Sequence, residues 1–149
     1  SLTACSDREM KIKSTGNSIK AFLYQEIKNK RGFTNLYIAN LFLQFLSYEE
    51  RRATCHSVYN NLSNGGAFIV VEKINQSTGV TQDIFSQIYH DAKLNSGVTN
   101  EELIIKQRSI RGILKPFTFQ QNYNMLKKCN FHVETFFQYM NVVGYLCLK

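Results

Sequence analysis

The sequence predicts one α/β domain built on an open, mostly parallel sheet that closes with an antiparallel pair of strands. Three observations lead there. Two short apolar runs, LYIANLFLQF (36–45) and AFIVV (67–71), have the composition of buried parallel strands, and a capped helical stretch separates them. Strand, helix and strand with short connections make a parallel crossover unit, for which a right-handed path is expected. Two further strand-like stretches at the end of the chain, 132–139 and 142–148, are close enough to pair antiparallel.

The 149 residues suffice for one domain with its own core, and 44% hydrophobic and 19% charged content are ordinary globular values. The 11 Phe and 8 Tyr exclude a disordered chain. Residues 1–18 are polar and aperiodic, so they are expected to form a poorly ordered or remnant segment ahead of a domain at 19–149. The first residue is Ser1 rather than Met, which points to a fragment, a processed product or a trimmed chain.

From there each element has its own signal. Ile19–Ile27 has strand character, and the run at 36–45 forms the next strand. Ser47 and Glu50 make a capping box in which each side chain satisfies a backbone N–H of the first turn. Cys55, Val58, Tyr59 and Leu62 then fall on one helical face. Asn64-Gly65-Gly66 is expected to stop this helix, because glycine tolerates the left-handed backbone found at helix ends. The strand at 67–71 ends in Glu72-Lys73. A helical insertion at about 78–115 follows. In it Val80, Ile84, Ile88 and Ala92 recur every fourth residue, Thr99 and Glu102 form a second box, and Leu103, Ile110 and Ile113 continue an apolar face up to Pro116. Thr118 and Gln121 open a last helix whose core face is Tyr123, Leu126 and Cys129. No internal repeat or low-complexity segment interrupts this order.

Composition excludes several classes of function. Cys5, Cys55, Cys129 and Cys147 never approach C-x-x-C spacing, so no zinc site or redox pair is suggested, and His56, His90 and His132 do not pair at metal-ligand spacing. The longest apolar stretch, Tyr37–Leu46, is too short to span a bilayer, and no signal peptide opens the chain, so the reading is cytoplasmic. Net charge is +7, and Arg8, Lys11, Lys13, Lys20, Lys28, Lys30 and Arg31 crowd the first 31 residues. They neither run unbroken nor alternate with aromatics, so a solvated basic surface and an anionic partner such as RNA both fit. In open α/β sheets ligands bind beyond the carboxyl ends of the strands, where Asn40, Gln44, Glu72 and Lys73 lie.

Four segments carry a more specific signal: ANLFLQFL (39–46), EERRATCHSVYNNLSNGGAFIVVEKI (49–74), YHDAKLNSGVTNEELIIKQRS (89–109) and HVETFFQYMNVVGYLCLK (132–149). Together, and in this order, they resemble the carboxy-S-adenosyl-L-methionine synthases, relatives of tRNA wobble-uridine methyltransferases. The resemblance implies a Rossmann-like class I methyltransferase sheet, N-terminally incomplete. It implies S-adenosyl-L-methionine, or its carboxylated form, as cofactor, and prephenate as small-molecule substrate. The implied reaction gives carboxy-S-adenosylmethionine and phenylpyruvate in the service of tRNA modification. A homodimer is implied too; direct tRNA binding is left open.

The resemblance also assigns residues. Asn40 matches the asparagine that follows the central strand and touches the cofactor. Arg108 matches the arginine that holds the transferred carboxylate, a two-pronged contact suited to a guanidinium, and it is the candidate catalytic residue. Gln25, with Glu26 beside it, matches an acidic position near the adenine. Read alone, Asn40 fits equally a residue satisfying a strand end, and Arg108 a solvent-facing helix residue. Glu72-Lys73 fits ligand orientation or a salt bridge to a neighbouring helix. His90, at a family-like position, fits a pocket residue or a capped, partly exposed one. Phe137, Gln138 and Asn141 match the family's hairpin, where packing or dimer contact is expected rather than chemistry. The family's first strand and glycine-rich loop would precede position 1, and no G-x-G occurs among the eight glycines. Two alternatives stay open: an ordinary methyltransferase acting on RNA or a small molecule, and a non-catalytic fragment or dimerisation module.

Overall fold

The computed structural model describes residues 34–149, so the strand expected at 19–27, the segment 1–18 and the candidates Gln25 and Glu26 lie outside the described residues. Strand β1 (Thr34–Asn40) leads through a 3-10 turn (Leu43–Phe45) into helix α1 (Tyr48–Asn61) and strand β2 (Leu62–Asn75). Helices α2 (Gly79–Asn95) and α3 (Asn100–Ile110) follow, then the two-residue strand β3 (Phe117–Thr118), helix α4 (Phe119–Lys128), and strands β4 (His132–Tyr139) and β5 (Val142–Leu148). The sheet order is β1-β2-β5-β4, with β3 beside the far end of β2. β1 and β2 are parallel, and β5 runs antiparallel to both β2 and β4. This is the mostly α/β, antiparallel-ended sheet that the sequence predicts.

A capping box starts each described α-helix. Ser47, Thr99 and Thr118 each accept from the backbone N–H three residues on, and Glu50, Glu102 and Gln121 return the bond. Such caps are worth about 1 kcal/mol each. Thr78 opens α2 in the same way, with Thr81 as the reciprocating partner.

Alternation along β2 turns Phe68, Val70, Glu72 and Ile74 inward. Phe68, Val70 and Ile74 meet Cys55 and Val58 of α1, Met125 and Leu126 of α4, and Val143, Tyr145 and Cys147 of β5 in one core. Phe131 joins the layers: its ring meets Tyr59 edge-on at 5.1 Å and Phe68 at 5.8 Å. Cys55, Cys129 and Cys147 are wholly buried, one each from α1, the end of α4 and β5. The Cys55 thiol is pushed up by its bond with Cys129 and by burial, and burial takes Cys147 to about 12.

Three boundaries differ from the sequence reading. The strand expected at 36–45 ends at Asn40, because Leu41 turns the chain with φ 52° and a 3-10 turn follows. An apolar run carries no glycine or proline to mark such a turn. Helix α1 stops at Asn61, before the Asn64-Gly65-Gly66 expected to end it. Those residues belong instead to an irregularity in β2, where Gly65 has φ 76° and pairing jumps from Thr34↔Leu62 to Leu36↔Ala67. Helix α3 stops at Ile110 rather than running to Pro116, and Gly112 takes φ 73° in the turn beyond.

Candidate functional site at the strand ends

The carboxyl ends of β1 and β2 come together by their pairing, since Asn40 faces Val71 across the ladder. Asn40 is exposed at the last position of β1. The chain then reverses through Leu41, an L-residue in the left-handed region, a conformation that costs roughly 1–2 kcal/mol. Consecutive β2 residues hold the reversal. Leu41 N–H donates to the Val71 carbonyl at 2.7 Å. Phe42 and Leu43 N–H both donate to Oε1 of Glu72, at 3.2 and 2.8 Å. Lys73 N–H donates to Oε1 of Gln44 at 3.0 Å, while the Gln44 amide donates back to the Leu41 carbonyl at 3.3 Å.

Glu72 is 1% exposed, and its Oε2 is buried with no hydrogen-bond partner. Burial raises its pKa to about 7, against the opposing pull of the Leu43 N–H and of Arg51. The sequence reading left Glu72 either orienting a ligand or pairing with a neighbouring helix. Among the described residues no ion pair joins it to a helix; its carboxylate accepts from the backbone of the turn after Asn40.

Arg51 is the charge opposite, and it is wholly buried. Its Nε donates to the Leu46 carbonyl at 3.2 Å, its Nη2 donates to the Lys115 carbonyl, and its guanidinium carbon lies 3.8 Å from the centre of the Phe117 ring. Burial lowers its pKa, and the Glu72 carboxylate acts the other way. The Lys115 N–H in turn donates to the Gln44 carbonyl at 2.8 Å. One buried polar network thus ties the turn after β1 to β2, α1 and the segment that follows α3.

Arg108 lies in the last turn of α3 and is exposed. Among the described residues the ion pairs are Arg52–Glu49 and His132–Glu134, so no described carboxylate engages Arg108. No hydrogen bond or ion pair joins Arg108 to Asn40. Their elements are linked through intermediates. The Lys73 ammonium at the end of β2, its pKa lowered by burial, lies 5.2 Å from the centre of the Tyr89 ring on α2. The next residue, His90, is 2.7 Å from the Gln107 side-chain nitrogen on α3, one position before Arg108. His90 therefore bridges the two helices.

In the hairpin, Phe137 is exposed and Asn141 is buried, its carbonyl accepting from the Ile74 N–H at 2.7 Å. The residues that sequence reasoning missed are Arg51 and Leu41. A signal for Arg51 was present: it lies four and seven positions before Cys55 and Val58, on the same apolar helical stripe. Among the described residues no His, Cys, Asp and Glu cluster suits a metal, and no helix is long and apolar enough to cross a membrane.

No family model matches the chain. It is similar to the carboxy-S-adenosyl-L-methionine synthase of Staphylococcus epidermidis, with 48% identity over 120 residues, covering 78% of this chain and 53% of that protein. The synthase of a Nitratiruptor species is 30% identical over 115 residues, covering 76% of this chain and 48% of its own length. The chain spans about half the length of the curated relatives it matches. Solved structures of similar fold include an O-methyltransferase family protein from Burkholderia thailandensis, with a TM-score of 0.56, 11% identity, and coverage of 85% of this chain and 32% of that one. Human N-acetylserotonin methyltransferase in complex with SAM aligns with a TM-score of 0.50 at 16% identity, covering 82% of this chain and 32% of that one. The resemblance carried by the four sequence segments is therefore borne out, and the fold is the Rossmann-like one of class I methyltransferases.

Proposed function

We propose that this chain acts as an S-adenosyl-L-methionine-dependent transferase of the carboxy-S-adenosyl-L-methionine synthase kind, using prephenate as the carboxyl donor. The observation that carries the reading is the 48% identity to a curated synthase over most of this chain, in the stretch that contains both Asn40 and Arg108. Asn40 offers an exposed amide at the carboxyl end of β1, where ligands of open α/β sheets bind. Arg108 offers an exposed guanidinium that no carboxylate among the described residues engages, matched in shape to a carboxylate on the ligand. When bound, the sulfonium of the ligand supplies an electron-poor methyl carbon. The roles of the protein are to orient the ligand at Asn40 and to offset the charge of its carboxylate at Arg108. Gln25 and Glu26 are proposed near the adenine. The same reading carries a cytoplasmic, homodimeric protein whose product serves tRNA wobble-uridine modification.

The methyltransferase fold gives an ordinary methyl transfer as the second reading, and Arg108 separates the two. Titration calorimetry of this chain with carboxy-S-adenosyl-L-methionine and with S-adenosyl-L-methionine is the test. Micromolar binding of the carboxylated ligand, weakened at least tenfold by Arg108→Ala, supports the synthase reading. Binding of both ligands that Arg108→Ala leaves nearly unchanged favours ordinary methyl transfer. No heat from either, with the chain folded, refutes both for this chain.

A further inference from the structure

The turn after Asn40 is an odd construction for a strand end. Asn40 is followed at once by Leu41 at φ 52°, with no glycine to relieve the left-handed backbone. Strained backbone persists only where the surroundings over-determine it, and it concentrates beside ligand sites. Here the over-determination is visible. Three successive β2 residues engage the turn in order: the Val71 carbonyl, the Glu72 carboxylate and the Lys73 N–H. Of these, only the Glu72 carboxylate is a side-chain group, and it holds two adjacent backbone donors with a single oxygen. A buried acid is costly to place, so a simple loop anchor would serve as well with a neutral amide or hydroxyl.

We propose that Glu72 is a positioning residue: its Oε1, by fixing the Phe42 and Leu43 N–H groups, holds Leu41 left-handed and so sets where Asn40 meets the ligand. Gln44 completes the device from the other side, gripping the Leu41 carbonyl and the Lys73 N–H with one amide. Arg51 and the Lys115 backbone carry the same constraint to the chain that follows α3. This inference rests on the reading of Asn40 as a ligand-contacting residue. Its backbone half stands without that reading. Glu72 touches no substrate in this scheme. Its effect passes through the backbone of residues 41–43.

Two substitutions separate positioning from plain structural support. Glu72→Gln keeps an acceptor oxygen in the place of Oε1; Glu72→Leu keeps the bulk and removes it. Each variant is followed by amide hydrogen exchange, by the NMR backbone shifts of Leu41, and by titration with carboxy-S-adenosyl-L-methionine. In Glu72→Leu the Phe42 and Leu43 amides should exchange at least tenfold faster relative to Val70. Leu41 should leave the left-handed region, and the dissociation constant should rise about tenfold. Glu72→Gln should restore the shifts and bind within about threefold of the unsubstituted chain. Unchanged Leu41 shifts in Glu72→Leu overturn the proposal, and so does ligand binding equal to that of the parent. Should the parent chain bind no ligand, the functional reading fails, and exchange and shifts still decide whether Glu72 sets the turn. If Glu72→Leu does not fold, Glu72→Met, an unbranched side chain of similar length without an acceptor oxygen, takes its place, with the same Leu41 shift expected and the same result overturning the idea.

Discussion

Replacing Arg51 by alanine removes the guanidinium at the junction of α1, the turn after β1 and the segment before β3. Its contacts fix the size of the loss. Two backbone carbonyls, those of Leu46 and Lys115, lose a charged donor, at about 1.5–3 kcal/mol each. The contact with Phe117 at 3.8 Å is desolvated and adds about 2 kcal/mol. Against these stands the cost of burying a cation, several kcal/mol that alanine recovers. The remainder is the penalty of stranding the Lys115 carbonyl and leaving Glu72 without its counter-charge, which places the net loss at about 3–5 kcal/mol. That is a large share of the 5–15 kcal/mol that roughly holds a domain together. Urea denaturation followed by circular dichroism measures it as a fall in midpoint at constant slope. Arg51→Met, which keeps the bulk against Phe117, should lose less than Arg51→Ala. A loss below about 1 kcal/mol for alanine would refute the reasoning, since it would mean that desolvation cancels the whole network.

Two further predictions concern stability. Glu72 binds its proton more tightly folded than unfolded, because its pKa rises from 4.5 to about 7. Its contribution is therefore fully present below about pH 4.5 and is lost as pH climbs to about 7, a decline of roughly 3 kcal/mol. Urea midpoints at about pH 5 and about pH 8 should fall in that order for the parent chain and converge in Glu72→Gln; a parent that is more stable at the higher pH contradicts the assignment to Glu72. Gly66→Ala puts a methyl 2.8 Å from the Ser63 carbonyl oxygen and 3.1 Å from that of Asn35, both backbone atoms unable to swing aside. Thermal melts should show a loss of about 1–3 kcal/mol, whereas Gly79→Ala, which meets nothing within 4 Å, should stay near the parent.

Much of this fold could be read before any coordinates, because its signals are local. The pairs Ser47–Glu50, Thr99–Glu102 and Thr118–Gln121 each declare a helix start through side chains three residues apart, and all three starts are real. Thr78 escaped notice because its partner, Thr81, is a hydroxyl where a longer acceptor is the usual mark. The turn at Leu41 escaped for a different reason. Its conformation is imposed by Val71, Glu72 and Lys73, some thirty positions away, so the run Leu36–Phe45 still reads as one strand. Arg51 lies on the apolar stripe of Cys55 and Val58, but its charged neighbours Glu49, Glu50 and Arg52 masked that signal. Its burial depends on Phe117 and Lys115, which only the folded chain brings near. For the candidate site, Asn40 and Arg108 came from the resemblance, and the backbone framework between them came from the coordinates.

The three core cysteines give the molecule a built-in opening sensor. Cys55, Cys129 and Cys147 belong to three different elements and are sealed from solvent together, so an alkylating reagent reaches each sulfur only when its own element lets go. Under slow labelling, the modification rate of each sulfur, divided by its rate in the unfolded chain, reports the free energy of its opening. Peptide mass mapping would then show whether α1, the end of α4 and β5 release as one unit or in succession. Three matching rates mean a single cooperative core. A faster Cys129 would mark the end of α4 as the seam where unfolding starts.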